Sequence, residues 1–294
     1  MALSFAQQRL WFIDQLTQGS AQYNMPIALR LEGELQVDAL HAAFSKIVER
    51  HEVLRTIYAT SATGEASQQI LPVEALPVAR FDLSGLPEAE REAEVLRLAE
   101  SDAITPFRLD QDLMVRVGLI AVDAKTHVLL FNMHHIASDG WSISVLMEEL
   151  VQLYAAFVQG QPSPLSPLEI QYADFAAWQR SHIRGDYLEE QMKYWQKQLA
   201  GIPPVHGLIL DRPRALQPSF VGKALTVPLD SVLVQQLNEL GQTQGATLFM
   251  VLHAAFAVLL GRWSREDDIV VGTPIAGRTR KELAPLIGFF VNNL

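Results

Sequence analysis

Apolar residues recur at the spacing of an α-helix in two stretches of this chain. Leu40, Phe44, Ile47 and Val48 share one face in the first, and Ile143, Leu146, Leu150, Leu153 and Phe157 share one in the second. Similar periodicity predicts helices over 87–103, 170–200, 230–243 and 246–262. Between them lie short apolar or alternating runs that read as strands: Ile27 to Leu31, Val115 to Val122, His127 to Met133, Ala224 to Val227 and Ile269 to Thr273. The order of elements is that of a mixed α/β protein.

Residues 160–168, Gly-Gln-Pro-Ser-Pro-Leu-Ser-Pro-Leu, hold three prolines, which neither a helix interior nor a central strand accommodates. This is the expected boundary between residues 1–165 and 166–294, and a second break is expected near Gly201-Ile202-Pro203-Pro204. A faint repeat flanks the boundary: a strand (27–31 and 224–227) leads through a polar turn into an amphipathic helix (37–50 and 230–243). Two similar lobes would place a ligand cleft at their interface. The plainer explanation is that strand–turn–helix units recur in any α/β chain.

Composition narrows the function. With 49% apolar and 19% charged residues the 294-residue chain is globular, long enough for one large domain or two lobes. A formal net charge of −10 without a Lys/Arg cluster speaks against nucleic acid. The absence of cysteine excludes disulfides, a thiolate nucleophile and Cys-based metal sites, and fits a reducing, cytoplasmic setting. No basic-then-apolar leader opens the chain and no stretch of 18 uncharged apolar residues follows, so no membrane association is expected.

The segment richest in chemistry is Phe131-Asn132-Met133-His134-His135-Ile136-Ala137-Ser138-Asp139-Gly140-Trp141-Ser142. An apolar strand ends in two histidines, a loop carries an aspartate and a glycine, and a long helix begins near Ser142, a suitable N-cap. Side chains alternate along a strand, so His134 and His135 point to opposite faces and only one can meet a substrate. Asp139 could orient an imidazole or pair with an arginine to brace the loop, and Gly140 permits a sharp turn into the helix.

His134-His135-Ile136-Ala137-Ser138-Asp139-Gly140 resembles the His-His-x-x-x-Asp-Gly motif of the condensation domains of nonribosomal peptide synthetases, a motif shared with the wider chloramphenicol acetyltransferase superfamily. Four further segments resemble that family's motifs in its own order. They are Ser4-Phe5-Ala6-Gln7-Gln8-Arg9-Leu10-Trp11, Arg50-His51-Glu52-Val53-Leu54-Arg55-Thr56, Tyr172-Ala173-Asp174-Phe175-Ala176-Ala177-Trp178 and Ile287-Gly288-Phe289-Phe290-Val291-Asn292-Asn293-Leu294.

The resemblance implies a chloramphenicol acetyltransferase-like α/β fold, two lobes forming a pseudo-dimer around an active-site tunnel. Domains of that family are longer, and the sequence stops inside the fifth motif, which implies an incomplete second lobe, a tunnel open on one side and no condensation activity for this piece alone. Ile287 to Leu294, without a charged residue, is then expected to lie uncovered and promote self-association.

The resemblance places His135 in the tunnel as the catalytic residue and His134 in the fold. It implies that Asp139 braces the loop by a salt bridge with Arg55, less surely Arg50, and that the Gly140 N–H faces the reacting carbonyl. Ser4, Arg9, Trp141, Ser142, Thr273 and Pro274 are implied to line the tunnel, with Val271 to Arg278 as its floor. Tyr172, Asp174 and Trp178 suit core and capping roles.

The implied reaction joins a donor aminoacyl or peptidyl thioester to an acceptor aminoacyl thioester as an amide. No cofactor is bound by the domain itself; the 4'-phosphopantetheine arms belong to donor and acceptor carrier proteins, and an adenylation domain is the expected neighbour. Four alternatives have different residue requirements, the first a heterocyclisation domain, whose family replaces the histidines with aspartates. An epimerisation-type domain usually lacks glycine after the aspartate, a non-catalytic recruitment module of the same fold tends to lose the second histidine, and a metal hydrolase would need a third ligand converging with His134, His135 and Asp139.

Overall fold

The computed structural model describes residues 1–17, 19–60, 64–203, 205–213, 216 and 222–294. Pro204, part of the expected second break, lies outside them. The chain divides into two compact units, one of residues 1–188 with 274–294 and the other of residues 189–273.

The first unit is organised by its most apolar strand. β6 (Thr126–His134) is buried on both faces from Val128 onward. It lies between β1 (Asn24–Glu32) and β5 (Val115–Ala121), antiparallel to both, and β4 (Val78–Asp82) adds to β5 in parallel, giving the order β1-β6-β5-β4. The residue alternation of β6 sorts two cores. Leu129, Phe131 and Met133 pack into a large cluster with Leu40, Phe44 and Ile47 of α2 (Val37–Arg50) and Leu146, Leu150 and Leu153 of α4 (Gly140–Val158). Val128 and Leu130 face Val95 and Leu98 of α3 (Glu88–Ile104) in a smaller one. Each buried aliphatic side chain of this kind contributes about 1.5–3 kcal/mol, so a strand loaded on both faces is a rigid base for the loop at its end. α4 is long and apolar enough to cross a membrane, but its apolar stripe faces this core and it carries Glu148 and Glu149.

A hairpin of β2 (Thr56–Thr60) and β3 (Ala66–Ile70) lies outside the four-stranded sheet. At the N-terminus α1 (Phe5–Thr17) starts on a capping box: the Gln7 N–H donates to Ser4 Oγ at 3.1 Å and the Ser4 N–H to Gln7 Oε1 at 2.9 Å.

Residues 166–188 and 274–294, grouped with the second lobe on sequence, pack with the first unit. α5 (Tyr172–His182) buries Tyr172 and Phe175 in the large cluster, and Leu283, Leu286, Ile287, Phe289 and Phe290 join them. The expectation of an uncovered apolar run at 287–294 therefore fails for Ile287, Phe289 and Phe290, which are 1–6% exposed. Gly288 shows why they fit: a Cβ there would stand 2.1 Å from the Tyr172 ring, so only glycine lets the segment pass. The segment ends in β8 (Asn292–Asn293), paired antiparallel with β7 (Pro274–Ile275).

The expected helix over 170–200 is two helices, because Ile183 and Arg184 leave the helical path and Gly185 takes φ +55° before α6 (Gly185–Gln198). The division between the units falls within α6. The second unit holds α7 (Ser231–Thr243), capped by Asp230, and α8 (Leu248–Ser264), capped by Thr247, with a bend of 101° between them. Neither Ala224 to Val227 nor Ile269 to Thr273 forms a strand. Apolar runs need a pairing partner to become strands, and neither run has one among the described residues, which removes the apparent repeat.

Candidate functional site

The site forms where β6 ends. His134 N–H donates to Met114 O on one side, and His135 N–H donates to Tyr23 O on the other, so the ladder reaches both histidines and stops there. The two imidazoles have opposite surroundings, as strand alternation requires. His134 is 2% exposed, edge-on to Tyr23 and Phe107, and its Nδ1 accepts the Ile136 N–H at 3.1 Å. Burial, with the neighbouring His135 as a smaller contribution, pushes its pKa down to about 3, so it stays neutral and structural.

His135 is half-buried. Its Nδ1 lies 2.8 Å from Ser138 O, and because a carbonyl only accepts, the ring proton sits on Nδ1. In the neutral ring Nε2 is then the acceptor nitrogen, and no described residue bonds to it. Phe289 packs edge-on against the ring at 4.8 Å, holding its plane.

Asp139 acts on the scaffold rather than on either histidine. Fully buried, it is the N-cap of α4, with Oδ1 accepting the Ser142 N–H at 2.9 Å and the Ser142 hydroxyl at 2.7 Å. The helix therefore begins at Gly140, two residues before the expected start, and Ser142 lies inside its first turn. Oδ2 accepts the Phe290 N–H at 3.0 Å. The cation facing Asp139 is Arg278, at 3.2 Å, with side chains 3% and 0% exposed. Arg278 also donates to Leu283 O and Leu286 O and lies over the Phe290 ring at 4.1 Å. Burial lowers its pKa and Asp139 raises it in opposition; the pairing keeps the guanidinium charged.

This corrects the expected pairing of Asp139 with Arg55 or Arg50. Arg55 is held by Leu71 O and Glu52, and Arg50 donates to Glu149 Oε1 at 2.8 Å and to Ser166 O. Neither guanidinium is turned toward Asp139. No local signal in the sequence marks Arg278, which Arg280 and Lys281 follow closely.

Of the residues expected to line a tunnel, Ser4 is fully buried, its hydroxyl 2.8 Å from the Tyr172 hydroxyl. Ser142 is also fully buried, and the Gly288 N–H donates to its Oγ at 3.1 Å. Both clamp the scaffold and line no open surface. Arg9 is exposed on α1, Trp141 is 49% exposed with its indole N–H on Ala284 O, Thr273 is half-buried, and Pro274 is exposed in β7. Tyr172 and Asp174 take the expected core and capping roles, Tyr172 donating to Phe289 O at 2.7 Å and Asp174 accepting the Gln171 N–H.

Gly140 is not the turn residue expected. It lies in the first helical turn without a positive φ, and a Cβ placed there would meet nothing within 4 Å. Its amide is one of the helix N-terminal N–H groups that no intrahelical carbonyl can satisfy. The loop thus carries an imidazole at His135 and, five residues on, the first N–H groups of a helix, the kinds of group that serve proton transfer and charge stabilisation. Among the described residues no three His, Asp or Glu side chains gather as a metal site would need.

A buried Asp–Arg clamp under a strand-end His-His, on an α/β scaffold, defines the class. Residues 1–294 match the family model of the condensation domain, and the chain belongs to that family. A subunit of the linear gramicidin synthase of Brevibacillus parabrevis is 49% identical over 294 residues, which is 100% of this chain and 6% of that protein. The crystal structure of the X-domain from teicoplanin biosynthesis superposes with a TM-score of 0.87 at 30% identity, covering 100% of this chain and 64% of that one. A complex of that X-domain with OxyB superposes at 0.83, with the same identity and coverage. The expected chloramphenicol acetyltransferase-like α/β class agrees with these folds.

Proposed function

We propose that this chain is part of a condensation domain that, in its longer parent, forms amide bonds in nonribosomal peptide synthesis, joining a donor aminoacyl or peptidyl thioester to an acceptor aminoacyl thioester. Both substrates arrive on the phosphopantetheine arms of carrier proteins, an adenylation domain is the neighbour that charges them, and the setting is cytoplasmic. The observation that carries this reading is the His135 tautomer: Nδ1–H is committed to Ser138 O, which leaves Nε2 basic.

The acceptor nitrogen attacks the donor carbonyl carbon, a C–N bond forms, and the carbonyl oxygen takes negative charge. Nε2 of His135 accepts the proton from that nitrogen as the Gly140 N–H meets the oxyanion. The intermediate collapses by breaking the C–S bond, and the imidazolium returns its proton to the departing thiolate. An α-amino group has a pKa near ~8, so much of it is neutral already, and a thioester is an activated electrophile. Positioning two arms is worth roughly 7–11 kcal/mol and base assistance about 10²–10⁴-fold, so positioning the arms matters more than the base.

Single-turnover amide formation between two loaded carrier proteins, catalysed by the longer parent domain, tests the reading. His135→Ala should slow it by about 10²-fold or more with the melting temperature kept, and His134→Ala should act through stability instead. Unchanged turnover in His135→Ala removes the imidazole from the reaction.

A second reading, recruitment of a partner protein, draws on the likeness to the X-domain in complex with OxyB. The retained His135, with an acceptor nitrogen free, favours catalysis. Stable binding of an OxyB-like protein without any amide formation would reverse that order.

A further inference from the structure

A buried titratable cluster behind the loop has no part in the reaction above. His51, at the C-terminal end of α2, is 1% exposed. Its Nδ1 accepts the Ile287 N–H at 3.2 Å, so the proton of the neutral ring sits on Nε2, which donates to Glu149 Oε2 of α4 at 2.9 Å. Glu149 is fixed in turn by Arg50, whose carbonyl accepts the Gln171 amide at 3.0 Å. Burial lowers the His51 pKa, Arg50 and Arg278 push the same way, and Glu149 opposes them. A neutral imidazole is needed here, since a protonated Nδ1 would turn a second N–H toward Ile287.

Ile287 opens the segment that closes the site. The next amide, of Gly288, donates to Ser142 Oγ, and the Phe290 amide donates to Asp139 Oδ2. Between them the Phe289 carbonyl takes the Tyr172 hydroxyl, and the Phe289 ring lies against His135. Ser142, Asp139 and Tyr172 hold residues 288–290, Arg278 holds the Leu286 carbonyl at 2.7 Å, and among the described residues His51 is the hydrogen-bond partner of the Ile287 amide.

We propose that His51 is a positioning residue for His135, setting the orientation of the catalytic ring through the Ile287 amide and the Phe289 ring. The inference rests on the condensation reading only for its effect on rate. Two polar substitutions divide the ring's two duties. Asn places its carbonyl oxygen near the Nδ1 position and keeps an acceptor for Ile287; Gln reaches toward Glu149 but withdraws that acceptor.

The full chain is compared as wild type, His51→Asn and His51→Gln by amide hydrogen exchange over 284–291, by the NMR signals of the His135 ring and by single-turnover amide formation. His51→Gln should exchange the Ile287 amide about tenfold faster, shift the His135 signals and lower the rate about tenfold at unchanged KM, and His51→Asn should stay nearer wild type in all three. Phe289→Leu, which leaves the His51 network intact, should shift the His135 signals as His51→Gln does. The inference is overturned if both His51 variants track their melting temperatures alone, or if the His135 signals ignore His51→Gln or Phe289→Leu. The rates are read in the longer parent domain; a wild-type parent that forms no amide at all would defeat the condensation reading, with exchange and NMR still deciding the role of His51.

Discussion

α4 and α8 are similar in length and both rich in apolar residues, yet they meet different ends. In α4 the residues Val145, Leu146, Leu150, Leu153 and Ala156 are buried, and the helix carries the site loop at its start. In α8 no residue is buried, and Phe249, Met250, Phe256, Val258, Leu259 and Trp263 are each about half exposed or more. The difference is in arrangement. The buried residues of α4 form one stripe against a sheet that presents apolar side chains on both faces, whereas apolar residues surround α8 on every side and the described residues of its own unit form no strand. No hydrophobic side chain among the described residues of 189–273 is buried. Apolarity creates a core only where the topology supplies an opposing surface, and the site stands on the unit that has one.

The sharpest way to break this contrast is to unpair the clamp. Asp139→Ala leaves Arg278 charged in a buried place, and the first unit should lose about 3–5 kcal/mol in chemical denaturation along with activity. A double-mutant cycle with Arg278→Met should recover part of the loss, whereas a cycle with Arg55 should show no coupling. Gly288→Ala comes next. Its Cβ would stand 2.1 Å from the Tyr172 ring, and overpacking of this kind should cost about 1–3 kcal/mol, seen as a lower melting temperature with displaced Tyr172 and Phe289 signals. The smallest effect should come from α8, where Phe256→Ser, at a site 49% exposed, should change unfolding free energy by about 0.5 kcal/mol or less. A loss as large as that from Asp139→Ala would mean that α8 is part of a core after all.

The helices over 37–50 and 140–158 and the strands around 115–121 and 126–134 were legible because each has a face set by periodicity. Strand alternation alone set His134 and His135 on opposite faces, and the resemblance indicated which of them is the open one. What the residues could not show was partner choice. Asp139 asked for a cation, and Arg50 and Arg55 were candidates only because a motif placed them; nothing local distinguishes them from Arg278, 139 residues away. The runs 224–227 and 269–273 carried strand composition, but a strand is defined by its neighbour, which composition does not supply. The apolar end at 287–290 was misjudged for the same reason: its cover, Tyr172 and the first turn of α4, lies more than a hundred residues upstream.

The clamp between Asp139 and Arg278 also orders events in time. During synthesis α4 and its sheet can form once residue 158 has emerged, since β1, β5 and β6 all precede it. The N-cap aspartate then has the Ser142 amide but no counter-charge, and the His135 ring has no Phe289 to rest on. Both arrive only with residues 278–290, after a closure that spans the whole second unit and whose entropic cost grows slowly with the length enclosed. The nascent chain therefore carries its histidines early in a loop that is not yet held, and gains a fixed imidazole in one late step. A ribosome-stalled chain ending before Arg278 should be folded around β6 and unable to hold that ring.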